Sequence, residues 1–293
     1  MSIVTVNFVG MNICYDSDDY ALKDMLKDSR ATVVEAGSRM APPQDIDLAK
    51  FGVPAEDPLF IIMTHLWSNG IEFTFLDIGA NTGLIMAYMA NFTMRCGRRT
   101  PIHAFEPGSA FAALEGTVAA NELQDQCFAY KMAMSEEPGE MVLIQVEGNT
   151  SAASLLPALR EHLPGIPVSE ERVRVTTVDD FVDEKYIEGA LVCKIDTEGN
   201  DFRVIRGAKK AIYTRLVPLF IEFIPSLVRS YADPVAELQD LARGYVLIDA
   251  SDRAGVIKDM AAYVAGVAHK TDIIAVPRKM PNLERLLGKL VAA

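Results

Sequence analysis

From residue 73 onward, short apolar runs alternate with segments whose apolar residues recur at helical spacing. The runs at residues 73–78, 101–105 and 191–195 are each followed by such a helical segment. This alternation is typical of a parallel sheet covered by helices. Residues 191–195 are almost entirely apolar, as expected for a strand with both faces buried. The sequence therefore predicts an α/β fold built on a mostly parallel sheet with helices on both faces.

The rest of the chain divides around this core. Further strands are predicted at residues 127–134, 141–146, 173–178, 216–223, 245–248 and 272–276, and helices at residues 84–92, 111–118, 201–213, 235–242 and 283–291. The first 70 residues differ, with a strand-like alternation in residues 1–12 and helices predicted at residues 20–27 and 58–67, the second capped by Asp57. We interpret residues 1–70 as a substrate-shaping cap, residues 71–280 as the cofactor-binding domain and residues 281–293 as a C-terminal helix.

Composition excludes several classes of partner. The 293 residues carry a formal charge of −12, and such an acidic surface repels phosphate backbones, so we expect no nucleic-acid partner. No apolar run reaches the roughly 18 residues of a membrane span, and no signal peptide is visible. The four cysteines are scattered and form no CxxC pair, which favours reduced thiols and a cytoplasmic location. The apolar N-terminal strand is compatible with a homodimer.

A glycine-containing loop follows the first predicted strand of the core. It reads Asp77-Ile-Gly-Ala-Asn-Thr-Gly83 and leads into a helix. The two glycines permit a tight turn and a close approach to a ligand, and the unpaired N–H groups at the helix start suit an anionic group. Glu106 ends the next predicted strand, where an acid can accept hydrogen bonds from ribose hydroxyls. Loop and acid together predict a site for an adenosine-containing cofactor.

The spacing of the glycines bears on which cofactor binds. A dinucleotide site requires a glycine for the pyrophosphate at the position that Asn81 occupies here. S-adenosylmethionine has no phosphate, and Asp77 could meet the ammonium of its amino-acid tail. In the structural alternative, the glycines only form a tight turn between strand and helix.

Four segments resemble a known family. They are Asp77-Ile-Gly-Ala-Asn-Thr-Gly83, Ala104-Phe-Glu-Pro107, Lys194-Ile-Asp-Thr-Glu-Gly199 running on to Arg206-Gly-Ala208, and Ile221-Glu222. In this order, over residues 73–277, the chain resembles the FkbM-type methyltransferases, and the third segment is the most specific. After the third strand, Ser135 is followed by Glu136, where relatives often have Asp.

The resemblance implies a fold, a cofactor and an acceptor. The fold is that of a class I (Rossmann-like) methyltransferase, with a seven-stranded sheet whose last strand is antiparallel. S-adenosyl-L-methionine is the methyl donor, and the acceptor is a small molecule or glycoside, methylated on a hydroxyl of a sugar or secondary metabolite. The residues expected to bind the cofactor are Asp77, Gly79, Ala80, Asn81, Thr82, Gly83, Glu106, Pro107, Ala133 and Ser135.

Three acids are the candidates for catalysis. In the implied strand order the first and fourth strands are neighbours, and ligands bind at the carboxyl ends of such strands. Asp196 ends the fourth strand, Glu198 faces the same way if the chain stays extended, and Glu222 ends the fifth strand. We predict Asp196 as base or acceptor anchor, Glu198 as its partner and Glu222 as an acceptor contact.

Alternatives to these assignments remain open at the level of sequence. Asp196 could cap the following helix, Glu222 could pair with Lys194, and the three acids could instead hold Mg²⁺. The acceptor atom could be nitrogen. The whole chain could be an NAD(P)-dependent Rossmann oxidoreductase or a non-catalytic cofactor-binding protein.

Overall fold

A computed structural model describes residues 3–8, 11–20, 32–33, 58–250 and 255–292. The strands are β1 (Ile3–Phe8), β2 (Met11–Asp16), β3 (Thr32–Val33), β4 (Phe73–Ile78), β5 (Ile102–Phe105), β6 (Cys127–Tyr130), β7 (Ala133–Met134), β8 (Gly139–Val146), β9 (Asn149–Ser154), β10 (Val168–Thr176), β11 (Ala190–Ile195), β12 (Leu219–Phe223), β13 (Tyr245–Asp249) and β14 (Thr271–Pro277). The helices are α1 (Pro58–Ser68), α2 (Leu84–Arg95), α3 (Phe111–Ala120), α4 (Leu159–His162), α5 (Val178–Glu184), α6 (Asp201–Arg206), α7 (Lys209–Thr214), α8 (Pro225–Val228), α9 (Pro234–Leu241), α10 (Met260–Gly266) and α11 (Leu283–Ala292).

A seven-stranded sheet forms the centre of the molecule, in the order β13-β14-β12-β11-β4-β5-β6. β12, β11, β4, β5 and β6 run parallel, and β14 runs antiparallel to both of its neighbours. All six side chains of β4 are buried, because helices and loops cover both faces of the sheet. The prediction of a mostly parallel α/β sheet is confirmed, and its last strand is antiparallel as expected.

The sheet brings β4 and β11 side by side although many residues separate them in the chain. Lys194 is the register partner of Asp77, and Ile195 is the partner of Ile78. The loops that follow both strands therefore leave the same edge of the sheet next to each other. The strand order changes direction between these two strands, which is the place where ligands bind in open α/β sheets.

Two predicted elements are interrupted in the structure. Residues 127–134 form two strands, β6 in the central sheet and β7 in a separate four-stranded sheet of order β7-β10-β8-β9. The predicted helix at residues 201–213 is divided at Gly207 into α6 and α7. A Cβ atom at Gly207 would lie 2.1 Å from the carbonyl oxygen of Ser135, so the chain passes too close to β7 for a side chain at this position.

The strands of the four-stranded sheet were the elements least clearly predicted from the sequence. β8 and β10 were predicted in part, whereas β9 was not predicted at all. β8 and β9 form an antiparallel hairpin. Residues of β9 contact the loops after β4 and β11, as described below. The polar, alanine-containing sequence of β9 (NTSAAS) lacks the β-branched and aromatic residues that mark a strand.

The N-terminal strands pack on the outer helices. β2 lies against α3, where Asn121 Nδ2 donates to the carbonyl of Asn12 at 2.7 Å and the backbone N–H of Cys14 donates to Thr117 Oγ1 at 2.9 Å. The C-terminal helix α11 contacts α1 and contributes Leu286 and Leu290 to the main core. The predicted helix at residues 20–27 and the cap at Asp57 lie outside the described residues, apart from Tyr20.

Candidate active site

The loop after β4 is built for a close approach to its neighbours. Gly79 has a φ of 81°, and its N–H donates to the carbonyl of Phe105 at 3.0 Å. A Cβ atom at Gly79 would lie 1.8 Å from the carbonyl oxygen of Asp196. The loop therefore requires glycine at this position both for its left-handed backbone and for its contact with the loop after β11.

Glu106 joins the end of β5 to the same loop. Its Oε2 accepts the N–H of Asn81 at 3.0 Å, and its Oε1 accepts the N–H of Gly108 at 2.8 Å. Burial raises the pKa of Glu106 to about 7, although both backbone N–H groups favour the ionised form. Each carboxylate oxygen keeps acceptor capacity beyond its one backbone bond, so Glu106 can still accept from a ligand hydroxyl.

The loop after β11 carries two of the three acids, Asp196 and Glu198, and its backbone is not extended as the sequence prediction assumed. Glu198 has a φ of 49°, so the chain turns between Asp196 and Glu198. Even so, Asp196, Glu198 and Glu222 each bring a carboxylate oxygen within 4.8 Å of the others. The three acids therefore meet, but the turn brings them together rather than the alternation of an extended strand.

Three side chains hold this turn, two of them from distant elements and the third from the start of α6. Ser154 Oγ, at the end of β9, donates to the carbonyl of Glu198 at 2.7 Å. The hydroxyl of Tyr231 donates to the carbonyl of Gly199 at 3.0 Å. Asp201 accepts the N–H and the hydroxyl of Thr197 at 3.0 and 2.9 Å. The loop is thus fixed from outside, as a strained non-glycine turn requires.

The cluster differs from the expected alternatives in its ion pairs. Glu222 pairs with Lys270, with Nζ and Oε1 2.6 Å apart, rather than with Lys194. Lys194 lies between Asp77 and Asp196, at 3.4 and 3.2 Å, and also donates to the carbonyl of Gly79 at 3.2 Å. Asp201, not Asp196, binds the N–H groups before α6. The Lys194 ammonium is therefore shared between two carboxylates and one backbone carbonyl.

The three acids of the cluster differ in pKa, because burial and neighbouring charges act on each of them differently. Burial opposes the charge of Asp196, but Lys194 outweighs this effect and holds its pKa below the ordinary value. Burial raises the pKa of Glu198 to about 7, with Lys270 acting against this shift and the charge of Asp196 adding to it. Burial and the charges of Asp196 and Glu198 raise the pKa of Glu222 to about 9. Near neutral pH, Asp196 is ionised, Glu198 is close to its midpoint and Glu222 holds a proton.

Two cavities meet at these loops. The first has a volume of about 170 Å³ and is lined by Glu106, Pro107, Ala133 and Glu198, among others. The second has a volume of about 480 Å³ and is lined by the start of α1, by Ala80 and Thr82, and by the ends of β12 and β14. Residues that line both cavities are Gly79, Asn81, Ser151 and Asp196.

Not all residues predicted to bind the cofactor reach a cavity. Gly79, Asn81, Glu106, Pro107 and Ala133 line the first cavity, and Ala80 and Thr82 line the second. Asp77, Gly83 and Ser135 line neither. Asp77 is fully buried beneath the loop facing Lys194, and Ser135 is buried with its hydroxyl 3.4 Å from Asn200 Oδ1.

Several residues at the site were missed from the sequence. Lys194 was considered only as part of a motif and as a partner of Glu222, although its place two residues before Asp196 in a buried strand indicates a cation paired with that acid. Thr150 of β9 lies with its hydroxyl 3.1 Å from Asn81 Oδ1 and donates to Asp19 Oδ2 at 2.5 Å. Neither Thr150 nor Lys270 has a local sequence signal, because both depend on long-range packing.

Comparison with known proteins places the chain in a family. Residues 77–246 match the family described as the methyltransferase FkbM domain. The chain belongs to the FkbM methyltransferase family. The matched residues contain the glycine loop, Glu106, and all three acids of the cluster, so the candidate site lies within the family domain. No curated protein sequence matches the chain.

Comparison with solved structures finds weaker similarity. The chain is similar to methyltransferase FkbM from Methylobacillus flagellatus KT, with 15% identity and a TM-score of 0.43, over 70% of this chain and 43% of that chain. It is also similar to TrmK from M. capricolum, solved with S-adenosyl-homocysteine, with 8% identity and a TM-score of 0.32 over 75% and 67%. For magnesium protoporphyrin IX methyltransferase (ChlM) from Synechocystis PCC 6803, solved with bound SAM, the values are 9% and 0.35 over 90% and 98%.

The match to the Methylobacillus FkbM protein spans less than half of that protein's length. Family membership of the present chain rests on the match over residues 77–246. Among the residues that the structure describes, no helix is long and apolar enough to span a lipid bilayer.

Proposed function

We propose that this member of the FkbM family transfers a methyl group from S-adenosyl-L-methionine to a hydroxyl of a small-molecule or glycosidic acceptor. The observation that carries the proposal is the meeting of two cavities at Gly79, Asn81 and Asp196. Glu106 and Glu198 line the first cavity, Glu222 lines the second, and Asp196 lines both. This arrangement suits a cofactor and an acceptor whose reacting atoms meet at the shared wall.

The residues of the first cavity fit the adenosine part of the cofactor. Phe105, Met132 and Leu143 supply apolar walls for a base, and Pro107 and Ala133 complete the lining. The remaining acceptor capacity of Glu106 matches the ribose hydroxyls. A cavity of about 170 Å³ is too small for the whole cofactor, so its amino-acid tail would lie under the loop of residues 79–83, with the carboxylate at the N-terminus of α2.

When bound, the cofactor supplies an activated methyl group on a sulfonium. The protein aligns the acceptor with that methyl, and orientation of this kind supplies roughly 7–11 kcal/mol in favourable cases. Glu198 is the general base in this proposal, because a pKa of about 7 matches the task near neutral pH. Ionised Asp196 anchors the acceptor hydroxyl, and Glu222 contacts the acceptor further along the cavity.

The architecture of the chain supports the same function. The strand order β13-β14-β12-β11-β4-β5-β6 agrees with the class I methyltransferase arrangement that we propose for it. Pro58 and Leu59, at the start of α1, line the second cavity. We therefore assign the N-terminal 70 residues the role of a cap that shapes the acceptor pocket, on a cytoplasmic enzyme.

Calorimetric titration of the purified protein with S-adenosylhomocysteine tests the proposal, with NADH as the control ligand. We expect micromolar binding of S-adenosylhomocysteine only. Gly79→Arg should abolish it, because the added side chain would enter the contact with Asp196. Binding of NADH alone would contradict the proposal in favour of an oxidoreductase, and binding of neither ligand would favour a protein without this cofactor.

A further inference from the structure

Asp19 is a buried acid that lies outside the matched family domain. It follows β2, whereas the family match begins at residue 77. The residue is 1% exposed, and its Oδ2 accepts both the N–H and the hydroxyl of Thr150 of β9, at 2.8 and 2.5 Å. A buried carboxylate is costly unless hydrogen bonds compensate it, so these two bonds attach the N-terminal segment to β9.

The backbone next to Asp19 is fixed to the same hairpin. The N–H of Tyr20 donates to the carbonyl of Gly148, in the turn between β8 and β9, at 2.8 Å. A Cβ atom at Gly148 would lie 3.2 Å from Cδ1 of Tyr20, so the two segments are in close contact. The position of Asp19 against Thr150 is therefore supported by the backbone as well as by its own side chain.

Thr150 connects Asp19 to the loop after β4. Its Oγ1 also lies 3.1 Å from Asn81 Oδ1, so oxygens of three side chains meet around a single hydroxyl hydrogen. The carboxylate of Asp19 is the stronger hydrogen-bond acceptor, because bonds to a charged oxygen are shorter and stronger. Once that hydrogen points to Asp19, the Thr150 oxygen can only accept from Asn81. The Asn81 amide satisfies it by turning Nδ2 to Thr150 and Oδ1 away.

Asn81 stands where the two cavities meet, since it lines both of them. Its backbone is held separately, because its N–H donates to Glu106 Oε2 at 3.0 Å. With the backbone held by Glu106 and Nδ2 held by Thr150, the amide oxygen is left as a hydrogen-bond acceptor at the cavity wall.

Two other hydrogen-bond acceptors near this loop already face a cation. Asp77, which the sequence suggested for the ammonium of the cofactor tail, is fully buried, lines neither cavity and lies 3.4 Å from Lys194 Nζ. The carbonyl of Gly79 accepts from the same ammonium at 3.2 Å. A second ammonium at either group would lie beside a like charge, which is unfavourable.

We propose that Asp19 is a positioning residue of the cofactor site, which acts through Thr150 to hold the Asn81 amide oxygen ready for the amino group of the S-adenosylmethionine tail. The inference rests on the proposed function, since it assigns this loop to that cofactor. Asp19 takes the hydrogen of the Thr150 hydroxyl, and Thr150 accepts from Asn81 Nδ2. The N-terminal segment is in this way part of the cofactor site.

Two ligands that differ only in the amino group test this assignment. They are S-adenosylhomocysteine and 5′-S-(3-carboxypropyl)-5′-thioadenosine, and their dissociation constants are measured by calorimetry on the full chain. We expect the wild type to bind S-adenosylhomocysteine about tenfold more tightly than the analogue. Thr150→Val, which keeps the shape but removes the hydroxyl, should reduce this ratio to within about twofold, and Thr150→Ser should retain it.

A double-mutant cycle tests whether Asp19 acts through Asn81. In Asp19→Asn the new amide can donate to Thr150, which frees the Thr150 hydrogen for Asn81 Oδ1 and turns this oxygen from the ligand, so the ratio should fall. Asn81→Gly removes the amide and keeps the positive φ of 48°. Adding Asp19→Asn to Asn81→Gly should change the ratio no further, because the group through which it acts is absent.

Asn121→Ala is the matched control for a loosened N-terminal segment. It removes two hydrogen bonds to the backbone of Asn12, at 2.8 and 2.7 Å, on the side of the hairpin that packs on α3. It should lower stability and leave the ratio unchanged.

The outcomes separate this inference from the proposed function. Equal affinity of the wild type for the two ligands would overturn the inference, and so would an unchanged ratio in Thr150→Val or an equal fall in Asn121→Ala. Asp19→Asn that weakens both ligands alike would show a structural role only. In each of these cases S-adenosylhomocysteine still binds and the methyltransferase proposal stands, whereas a wild type that binds neither ligand would remove both proposals. The Thr150 variants decide the matter if Asp19→Asn does not fold.

Discussion

The loops after β4 and β11 lie side by side at one edge of the sheet, yet they present different chemistry. The loop of residues 79–83 offers mainly backbone groups and small side chains, and its shape depends on glycine. The loop that begins at Asp196 offers carboxylates, and side chains from β9, α6 and the segment after α8 hold its turn. The shape of the loop that presents backbone groups is therefore specified by its local sequence, whereas the acidic cluster depends on contacts with distant parts of the chain.

The largest expected effect tests the steric contact between the two loops. Gly79→Ala would bring a Cβ atom to 1.8 Å from the carbonyl of Asp196, so one loop must move. We expect the variant to lose about 4 kcal/mol of unfolding free energy, measured by chemical denaturation, together with S-adenosylhomocysteine binding.

Gly97→Ala is the matched control for this variant. Gly97 also has a positive φ, of 69°, but nothing lies within 4 Å of an added Cβ atom. It should lose only about 1 kcal/mol, from backbone strain alone. Equal losses in the two variants would show that the contact between the loops contributes nothing.

The next effect separates chemistry from cofactor binding. With an acceptor identified by screening, Glu198→Gln should lower kcat by about 10²–10³-fold, because the general base is removed. The dissociation constant of S-adenosylhomocysteine should change less than about threefold, since the loop after β4 is intact. The wild-type kcat should rise with pH up to about 7, the pKa of Glu198, and then level off. A variant that keeps the same pH profile would contradict the assignment of Glu198 as base.

A smaller effect concerns Glu106 on the cofactor side. Its carboxylate accepts ribose hydroxyls best when ionised, and its pKa is raised by burial to about 7. Binding of S-adenosylhomocysteine should therefore weaken as the pH falls from 8 to 6. Glu106→Gln should weaken binding about tenfold at pH 8 and remove this pH dependence. Calorimetry at both pH values measures the effect, and a pH dependence that survives in the variant would assign it to another group.

The smallest effect tests whether the turn at Glu198 is held from outside. Ser154→Ala removes the hydroxyl that donates to the Glu198 carbonyl and should cost about 1 kcal/mol of stability, with a fewfold drop in kcat. Ser230→Ala removes a hydroxyl that donates over the same distance, 2.7 Å, to the carbonyl of Leu227. Ser230 is exposed, whereas Ser154 is buried and its Oγ also accepts the N–H of Leu156, so Ser230→Ala should cost less stability and leave kcat unchanged. If both variants keep full activity, Ser154 acts on stability alone.

The sequence predicted the parts of this site that depend on local pattern. The apolar strand 191–195 and the glycine loop after β4 stand where they were expected, because burial on both faces and a tight turn leave clear signals. The turn at Glu198 was not foreseen, since a non-glycine residue with positive φ needs support from Ser154 and Tyr231. β9 was missed for a related reason, because its polar sequence becomes a strand only by pairing with β8.

The contact between Lys194 and the first loop has a consequence for how the chain folds. Lys194 Nζ and the carbonyl of Gly79 are 115 positions apart in the sequence, and the same ammonium is the partner of the buried Asp77. During synthesis the segment containing β4 and β5 leaves the ribosome well before β11. Until β11 inserts beside β4, Asp77 has no lysine to compensate its charge, which disfavours early closure of this half of the sheet. We therefore expect the two loops to acquire their native shapes in one late, cooperative step.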